Sequence, residues 1–311
     1  MSQTIDMNNV NSATFNNSTV NEIYLNSTKI WPIISTVEPY LTFSANDSFA
    51  LKTSTGGRNW DGILEYSTDK TTWTTWDGVG NGISAAYNGI EYVLYLRGTG
   101  NTVISSNVND FRFQFTGDNL YKKISGNIEV LLDYATVVNG QHPPMAERCF
   151  QSLFQNAISI KDCSDLILGA ETASGHCYQS MFRGCINLEY SPRILLTTLK
   201  EYCLYGMFRD CSSLKQLVAL PALLVKREVY SYMYYNCPRI KMSSTQIDEY
   251  QNAYRIPTTG TGASTVGASG FANNMFSATG GSFKSQPLLN TTYYTSNAII
   301  MPDGTIIPAV Q

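Results

Sequence analysis

Cys177-Tyr-Gln-Ser-Met-Phe-Arg-Gly184 is one of four copies of a single aromatic phrase. The others read Cys149-Phe-Gln-Ser-Leu-Phe-Gln-Asn156, Cys203-Leu-Tyr-Gly-Met-Phe-Arg-Asp210 and Val229-Tyr-Ser-Tyr-Met-Tyr-Tyr-Asn236. Their starts lie 26 to 28 residues apart, and a fixed period of that size marks a stacked solenoid in which each unit covers its neighbour's apolar face. In the third copy Leu199, Cys203, Met207 and Cys211 fall at i, i+4, i+8 and i+12, the spacing of one helical stripe. Thr198-Leu-Lys-Glu201 supplies a capping box ahead of it. A short strand-like piece, Leu214-Lys-Gln-Leu217, and Pro221 follow. The spacing therefore predicts one helix of about three turns and one short strand per unit, as in the helix-plus-strand kind of leucine-rich repeat. The first unit carries Ala157 where later ones carry cysteine, as a capping unit would.

The seven cysteines read as packing residues. Cys177 and Cys185, like Cys203 and Cys211, are eight apart, about 12 Å on a helix and beyond the roughly 7 Å Cα limit of a bridge. Cys185, Cys211 and Cys237 recur once per unit, as small buried ladder residues do. Cys163 falls outside that pattern and is a candidate free thiol. Zinc is not expected, because ligand pairs need shorter spacings and His142 and His176 are the only histidines.

Outward from the repeats the chain becomes β-rich. Residues 37–120 read as a β-sandwich built from Leu41-Thr-Phe43, Gly62-Ile-Leu-Glu-Tyr66, Thr72-Trp-Thr-Thr-Trp76, Tyr92-Val-Leu-Tyr-Leu96 and Phe111-Arg-Phe-Gln-Phe115, punctuated by turn glycines. Five to seven short strands without an inter-sheet disulfide suit an immunoglobulin-like sandwich. Residues 1–36 form a small N-terminal β module with hairpins at Phe15–Val20 and Leu25–Ile30, closed by Trp31-Pro32. A piece that small either anchors the chain to something larger or adds a strand layer to the sandwich. Residues 125–242 form the solenoid of about four repeats. Residues 243–311 comprise a polar helix over 243–255, a low-complexity loop over 258–270 and a hairpin around Pro302-Asp303-Gly304, together a C-terminal β cap.

Composition narrows the function classes. Charged residues make up 14% of the 311, against about 25% in an ordinary soluble domain. Net charge is −3 with no basic run, so nucleic acid is not an expected partner. Met1-Ser-Gln-Thr-Ile-Asp6 has neither the basic segment nor the apolar core of a secretory signal. No stretch approaches the ~18 apolar residues of a membrane span. An enzyme is not expected: neither histidine lies near a nucleophile–acid set, and Gly78-Val-Gly-Asn-Gly82 has no lysine and no following helix to make a phosphate loop. Asp47, Asp69, Asp77 and Asp110 sit at predicted turns, where bonding to their own backbone explains them. No cofactor and no metal is called for.

The phrase Cys-Tyr-x-x-Met-Phe-x-x-Cys-x-x-Leu, intact from Cys177 to Leu188, resembles BspA-like leucine-rich repeat surface proteins, which occur in Bacteroidetes and in their phages. Leu64-Glu-Tyr-Ser-Thr-Asp69 with Trp73 and Trp76 looks like the Ig-like domain that precedes such repeats. Ala278-Thr-Gly-Gly-Ser-Phe283 is similar to the family's closing segment. Asn21-Glu-Ile-Tyr-Leu-Asn26 through Trp31 resembles the short N-terminal modules of phage fibre and virion proteins. The resemblance implies a virion structural protein, a head or tail fibre or decoration. It would dock on other virion proteins through Phe15, Tyr24 and Trp31 and form a homo-oligomer, a trimer as fibres usually are. The other reading is a bacterial cell-surface adhesin.

Two sets of residues are candidate ligand contacts with a host glycan or protein. Trp73 and Trp76, with Trp60 and Tyr66, are either a sugar-stacking platform or sandwich core; their spacing points them to opposite faces. Glu189, Tyr190, Lys215, Gln216 and Lys241 stand between the apolar ladder residues of the strand row, where they either recognise a partner or form an ordinary solvated face.

Overall fold

The computed structural model describes residues 38–106, 110–117, 122–267 and 270–311, and before them the backbone of four short strands. The chain divides into two compact units, Met1–Val37 and Glu38–Gln311. In the first, Ala13–Phe15 pairs antiparallel with Ser18–Val20, and Ile23–Leu25 with Thr28–Trp31. These are the two expected hairpins. The side chains of Phe15, Tyr24 and Trp31 lie outside the described residues.

The second unit is β-rich. Its first part has two sheets. One runs in the order Thr74–Trp76, Ile63–Ser67, Tyr92–Thr99, Leu41–Ala45, Lys122–Asn127. The other is Phe113–Thr116, Ala50–Thr53, Ile83–Ser84. Aromatic rings join them: Phe43 lies 5.5 Å from Phe115, and Trp76 lies 5.6 Å from Phe113. The alternation read at 111–115 holds, with Phe111 and Phe113 fully buried. Lys122–Asn127 is the seam to the repeats. It pairs antiparallel with Leu41–Ala45 on one edge and parallel with Ile160–Asp162 and Leu166–Leu168 on the other.

Beyond that seam the phrases stack as coils, but the expected helix in each coil is absent. The only helix among the described residues is Val130–Val138, ahead of the first phrase. Even this is interrupted at Asp133 (φ −154°, ψ 100°), whose Oδ1 accepts the Thr136 N–H and caps the second half. No helix among the described residues is long and apolar enough to cross a membrane. Each phrase is instead a run of tight turns in which every fourth residue has positive φ. Those residues are Arg148, Ser152 and Asn156; His176, Ser180 and Gly184; Tyr202, Gly206 and Asp210; and Glu228, Tyr232 and Asn236.

Backbone hydrogen bonds explain why the turns win. Alternate N–H groups close turns inside a coil, as Met181 to Tyr178 and Cys185 to Phe182. The others reach the next coil: Tyr178 to Cys203, Ser180 to Tyr205, Phe182 to Met207 and Gly184 to Arg209. From Tyr178 to Cys185 every N–H is satisfied without an i→i−4 bond, and the coils are bonded to one another as a helical row could not be. The same ladder continues into a fifth copy, because Tyr230, Tyr232, Tyr234 and Asn236 donate to Phe271, Asn273, Met275 and Ser277.

The interior is a column of rings and thiols. Phe154, Phe182, Phe208, Tyr234 and Phe276 stack at 5.4, 5.9, 5.6 and 5.6 Å with interplanar angles of 19°, 13°, 16° and 6°. Cys185, Cys211 and Cys237 each donate their thiol to the carbonyl of the ring residue one coil back, Phe154, Phe182 and Phe208, at 3.0–3.1 Å. All seven cysteines are unbridged and buried. Burial pushes the Cys163 thiol well above its ordinary value, so this free thiol is shielded from solvent rather than activated.

Two further strand rows complete the coils. Leu166–Leu168 pairs parallel with Arg193–Ile194; Thr172–Ala173, Thr198–Leu199, Leu224–Val225 and Ala263–Ser264 pair in parallel succession. Thr198-Leu-Lys-Glu201 is thus strand and turn, and caps no helix. The polar helix expected over 243–255 is also absent: Asn252–Arg255 is a strand pairing with Thr292–Thr295. The final hairpin forms as read, Ala298–Ile300 with Ile306–Ile307, and adds in parallel to Gln216–Val218.

Candidate functional site

The strand-row candidates fall into one register but differ in exposure. Glu189 N–H bonds to Lys161 C=O, and Lys215 N–H to Glu189 C=O, so their side chains line up coil by coil. Lys215 Nζ lies 2.8 Å and Lys161 Nζ 3.8 Å from the Glu189 carboxylate. Lys241 pairs with Glu249 at 3.3 Å, and Tyr190 is exposed. Gln216 is not on this surface. It is 2% exposed, and its Oε1 accepts the Ser191 N–H at 3.1 Å, tying neighbouring coils together. The row's charges are paired, two lysines on Glu189 and Lys241 on Glu249, each such pair contributing about 0–1 kcal/mol.

The tryptophans separate as their spacing implied. Trp76 is buried beside Trp60, 5.2 Å away, and Trp60 is itself 3% exposed. Neither belongs to a surface platform. Trp73 lies on the other side, half-buried against Tyr40, with the Arg97 guanidinium 3.9 Å above its ring.

The surface that gathers aromatic side chains is the turn face, which the sequence reading did not single out. His176 stacks on Tyr202 at 4.8 Å and 5°. Tyr202 contacts Tyr205 at 5.8 Å, Tyr205 contacts Tyr232 at 5.4 Å, and Tyr232 contacts Tyr235 at 5.5 Å. All five are half-buried. Arginines brace them: Arg209 sits 5.5 and 5.0 Å from the Tyr232 and Tyr235 rings, and Arg227 5.9 Å from Tyr202. The four-residue turn step accounts for the strip. In each step two residues face inward, one faces outward and one takes positive φ, and the outward and positive-φ positions of successive coils form surface columns. The clue available in the sequence was the tyrosines at 202, 205, 232 and 235, all in repeat units.

Two hollows flank this face. One, of about 230 Å³, adjoins the strip at Tyr232 and is lined by Glu228, Asn273, Asn274, Ser285 and Gln286. Near His176 a shallower one of about 360 Å³ is bordered by Glu147, Ser174, Lys200 and Glu201. Away from the strip, an apolar cavity of about 310 Å³ lies between the last hairpin and Asn252–Arg255, with Tyr254, Ile299, Met301 and Ile307 in its wall.

Apart from the strip, Glu129 and His142 form a titratable pair. The Glu129 side chain is fully buried, its carboxylate 3.0 Å from His142 Nδ1 and bonded by Asn127. Burial outweighs both partners and raises its carboxyl above the ordinary value. Among the described residues no three His, Cys, Asp or Glu side chains are placed to hold a metal ion. Comparison of the chain with protein-family models, curated proteins and solved structures finds no match in any of the three.

Proposed function

We propose that the chain is a structural protein of a phage particle, a head or tail fibre or decoration. It docks on other virion proteins through residues 1–36 and displays its coils for attachment to a host surface glycan or protein. The reading takes 37–120 as an Ig-like domain, 125–242 as a leucine-rich-repeat solenoid and 243–311 as its cap. It assigns no catalytic role.

The observation that carries attachment is the half-buried strip from His176 to Tyr235. Aromatic side chains with a polar end contribute contact area at low entropic cost, and arginine beside them adds charge and hydrogen bonding. The bonded coils hold the strip rigid, so little ordering is required when a partner binds. A separate Met1–Val37 unit supports a division between docking and display. A homotrimer would present three strips at once and raise avidity over a single contact.

A bacterial surface adhesin would use the same strip, so location decides between the readings. Immunogold electron microscopy with antibody against residues 125–242 should place gold on purified particles. Gold confined to cell envelopes would replace the virion reading with the adhesin.

A further inference from the structure

We infer that the hollow at the end of the tyrosine strip is a subsite for one neutral sugar unit, with the rest of the glycan running back over Tyr232, Tyr205 and Tyr202. The inference rests on the attachment reading and names its ligand class.

All the lining side chains of this hollow are polar: Glu228, Tyr232, Asn273, Asn274, Ser285 and Gln286. Its volume of about 230 Å³ lies below the ~300 Å³ at which drug-sized sites begin, so it suits a single small polar ring. The groups are held before any ligand arrives. Asn273 Nδ2 donates to Glu228 Oε1 at 2.7 Å, and its backbone N–H donates to Ser231 Oγ at 2.8 Å. Asn274 Nδ2 donates to the Tyr232 hydroxyl at 3.1 Å, and Ser277 Oγ donates to Asn274 Oδ1 at 3.2 Å.

Those bonds leave a defined capacity facing the hollow. The Tyr232 hydroxyl accepts from Asn274, so its own proton is available to donate. The second Glu228 oxygen and Asn273 Oδ1 can accept, and the Gln286 amide offers both a donor and an acceptor. Mixed donors and acceptors at close spacing match adjacent sugar hydroxyls, each of which both donates and accepts. Charge sets the class. Glu228 is the only carboxylate in the lining and no lysine or arginine lines the hollow, so an acidic sugar unit meets repulsion inside the subsite, Arg209 and Arg227 lying against the rings of the strip. The neighbouring tyrosine rings give a continuing chain apolar faces to lie on.

The test is a printed array of neutral, N-acetylated and sialylated oligosaccharides, probed with full-length chain biotinylated and tetramerised on streptavidin so that weak contacts register. Neutral or N-acetylated glycans should bind, and sialylated ones should not. Gln286→Ala, at a half-buried position, should weaken the signal about five- to tenfold, the loss of one or two hydrogen bonds. Glu228→Gln should relax the exclusion of sialylated glycans, and Lys241→Ala on the strand row should change nothing. Binding unaffected by Gln286→Ala but abolished by Tyr205→Ser would overturn the subsite and leave attachment through the strip. Binding confined to sialylated glycans would overturn the charge argument. No binding to any glycan would overturn both the subsite and glycan attachment.

Discussion

Phe208→Ala removes the middle ring of the five-ring column. Phe208 is fully buried, 5.9 Å from Phe182 and 5.6 Å from Tyr234. Truncating a buried phenylalanine costs about 3–5 kcal/mol. Within that, two ring pairs at about 0.5–1.5 kcal/mol each account for roughly 1–3 kcal/mol. Phe208→Leu keeps most of the apolar volume and loses only the ring pairs, so it should cost about 1–3 kcal/mol. Urea unfolding followed by two probes separates the effects. All four tryptophans, 31, 60, 73 and 76, precede the coils, so their fluorescence reports the first part of the molecule. Far-UV circular dichroism reports the coils as well. Stacked units are coupled mainly to their neighbours, and the circular dichroism midpoint should therefore fall further than the fluorescence midpoint. A loss under about 1 kcal/mol for Phe208→Ala would refute the packing argument. Wild-type stability for Phe208→Leu would refute the contribution assigned to stacking.

Gly206 and Gly184 both have positive φ, but a Cβ at Gly206 meets nothing closer than Ser180 Oγ at 3.6 Å, whereas one at Gly184 collides with Asn156 Oδ1. Asn156 is exposed and its amide can turn aside, so Gly206→Ala and Gly184→Ala should each cost about 1–2 kcal/mol from backbone strain; a loss well above ~2 kcal/mol at either site in thermal unfolding would refute this. Thiol-specific reagents at pH near 8 should label none of the seven cysteines in the folded chain and all seven after denaturation, since each is buried; rapid labelling of Cys163 in the folded state would contradict its placement. Glu129 holds its proton in the folded chain at a pH where the unfolded chain, near the ordinary 4.5, has released it. Its contribution is thus complete below that value and declines as pH rises through the folded pKa. In a His142→Gln background, Glu129→Gln should flatten the fall in stability as pH rises above the ordinary carboxyl value, and an unchanged slope would refute the sign. Tyr202→Asn should leave stability within about 1 kcal/mol of wild type while weakening attachment; a loss above about 2 kcal/mol would make Tyr202 a structural residue.

The parts of the fold legible in the sequence are those decided by a local period of two. The runs at 41–43, 92–96 and 111–115 alternate or are continuously apolar, and glycine and aspartate mark their ends. The repeats misled because their period is four. Leu199, Cys203, Met207 and Cys211 satisfy i+4 spacing, yet on a helix of 3.6 residues per turn a strict four-residue repeat rotates by about 40° at each step. A strict four is the step of the turn ladder. The residue ending each phrase, Asn156, Gly184, Asp210 or Asn236, belongs to a type that tolerates positive φ. That was visible, but it also suits the end of a helix. The fifth copy is masked in the sequence because Phe271 stands 42 residues after Val229 and Ala272 replaces the earlier aromatic. Only Met275-Phe276 keeps the pair seen at 181–182 and 207–208. For Gln216 the strand alternation beside the solvated Lys215 already pointed inward, and its bonds to Ser191 follow from that.

The turn ladder also accounts for the proposed recognition surface lying on the turns rather than on the strand row. A strand in these coils is two or three residues long, so its outward positions are few, and the charged ones are occupied by one another. The turn face offers an outward residue and a positive-φ residue at each four-residue step. Tyr202 and Tyr232 hold φ of 58° and 57°, where glycine or asparagine would cost about 1–2 kcal/mol less. The corresponding positions in other coils hold His176, Glu228, Ser180 and Gly206, so the backbone does not require a ring there. The interior does not require one either, because the buried column is complete without them. What these rings do is join His176, Tyr205 and Tyr235 into a continuous strip beside a polar hollow. Positive φ recurs in every coil, at Arg148, Ser152 and Glu228 as well as at Tyr202 and Tyr232, so the ladder itself sets that strain; a bulky ring held where glycine would be easier supports the proposed attachment strip over the charged strand row.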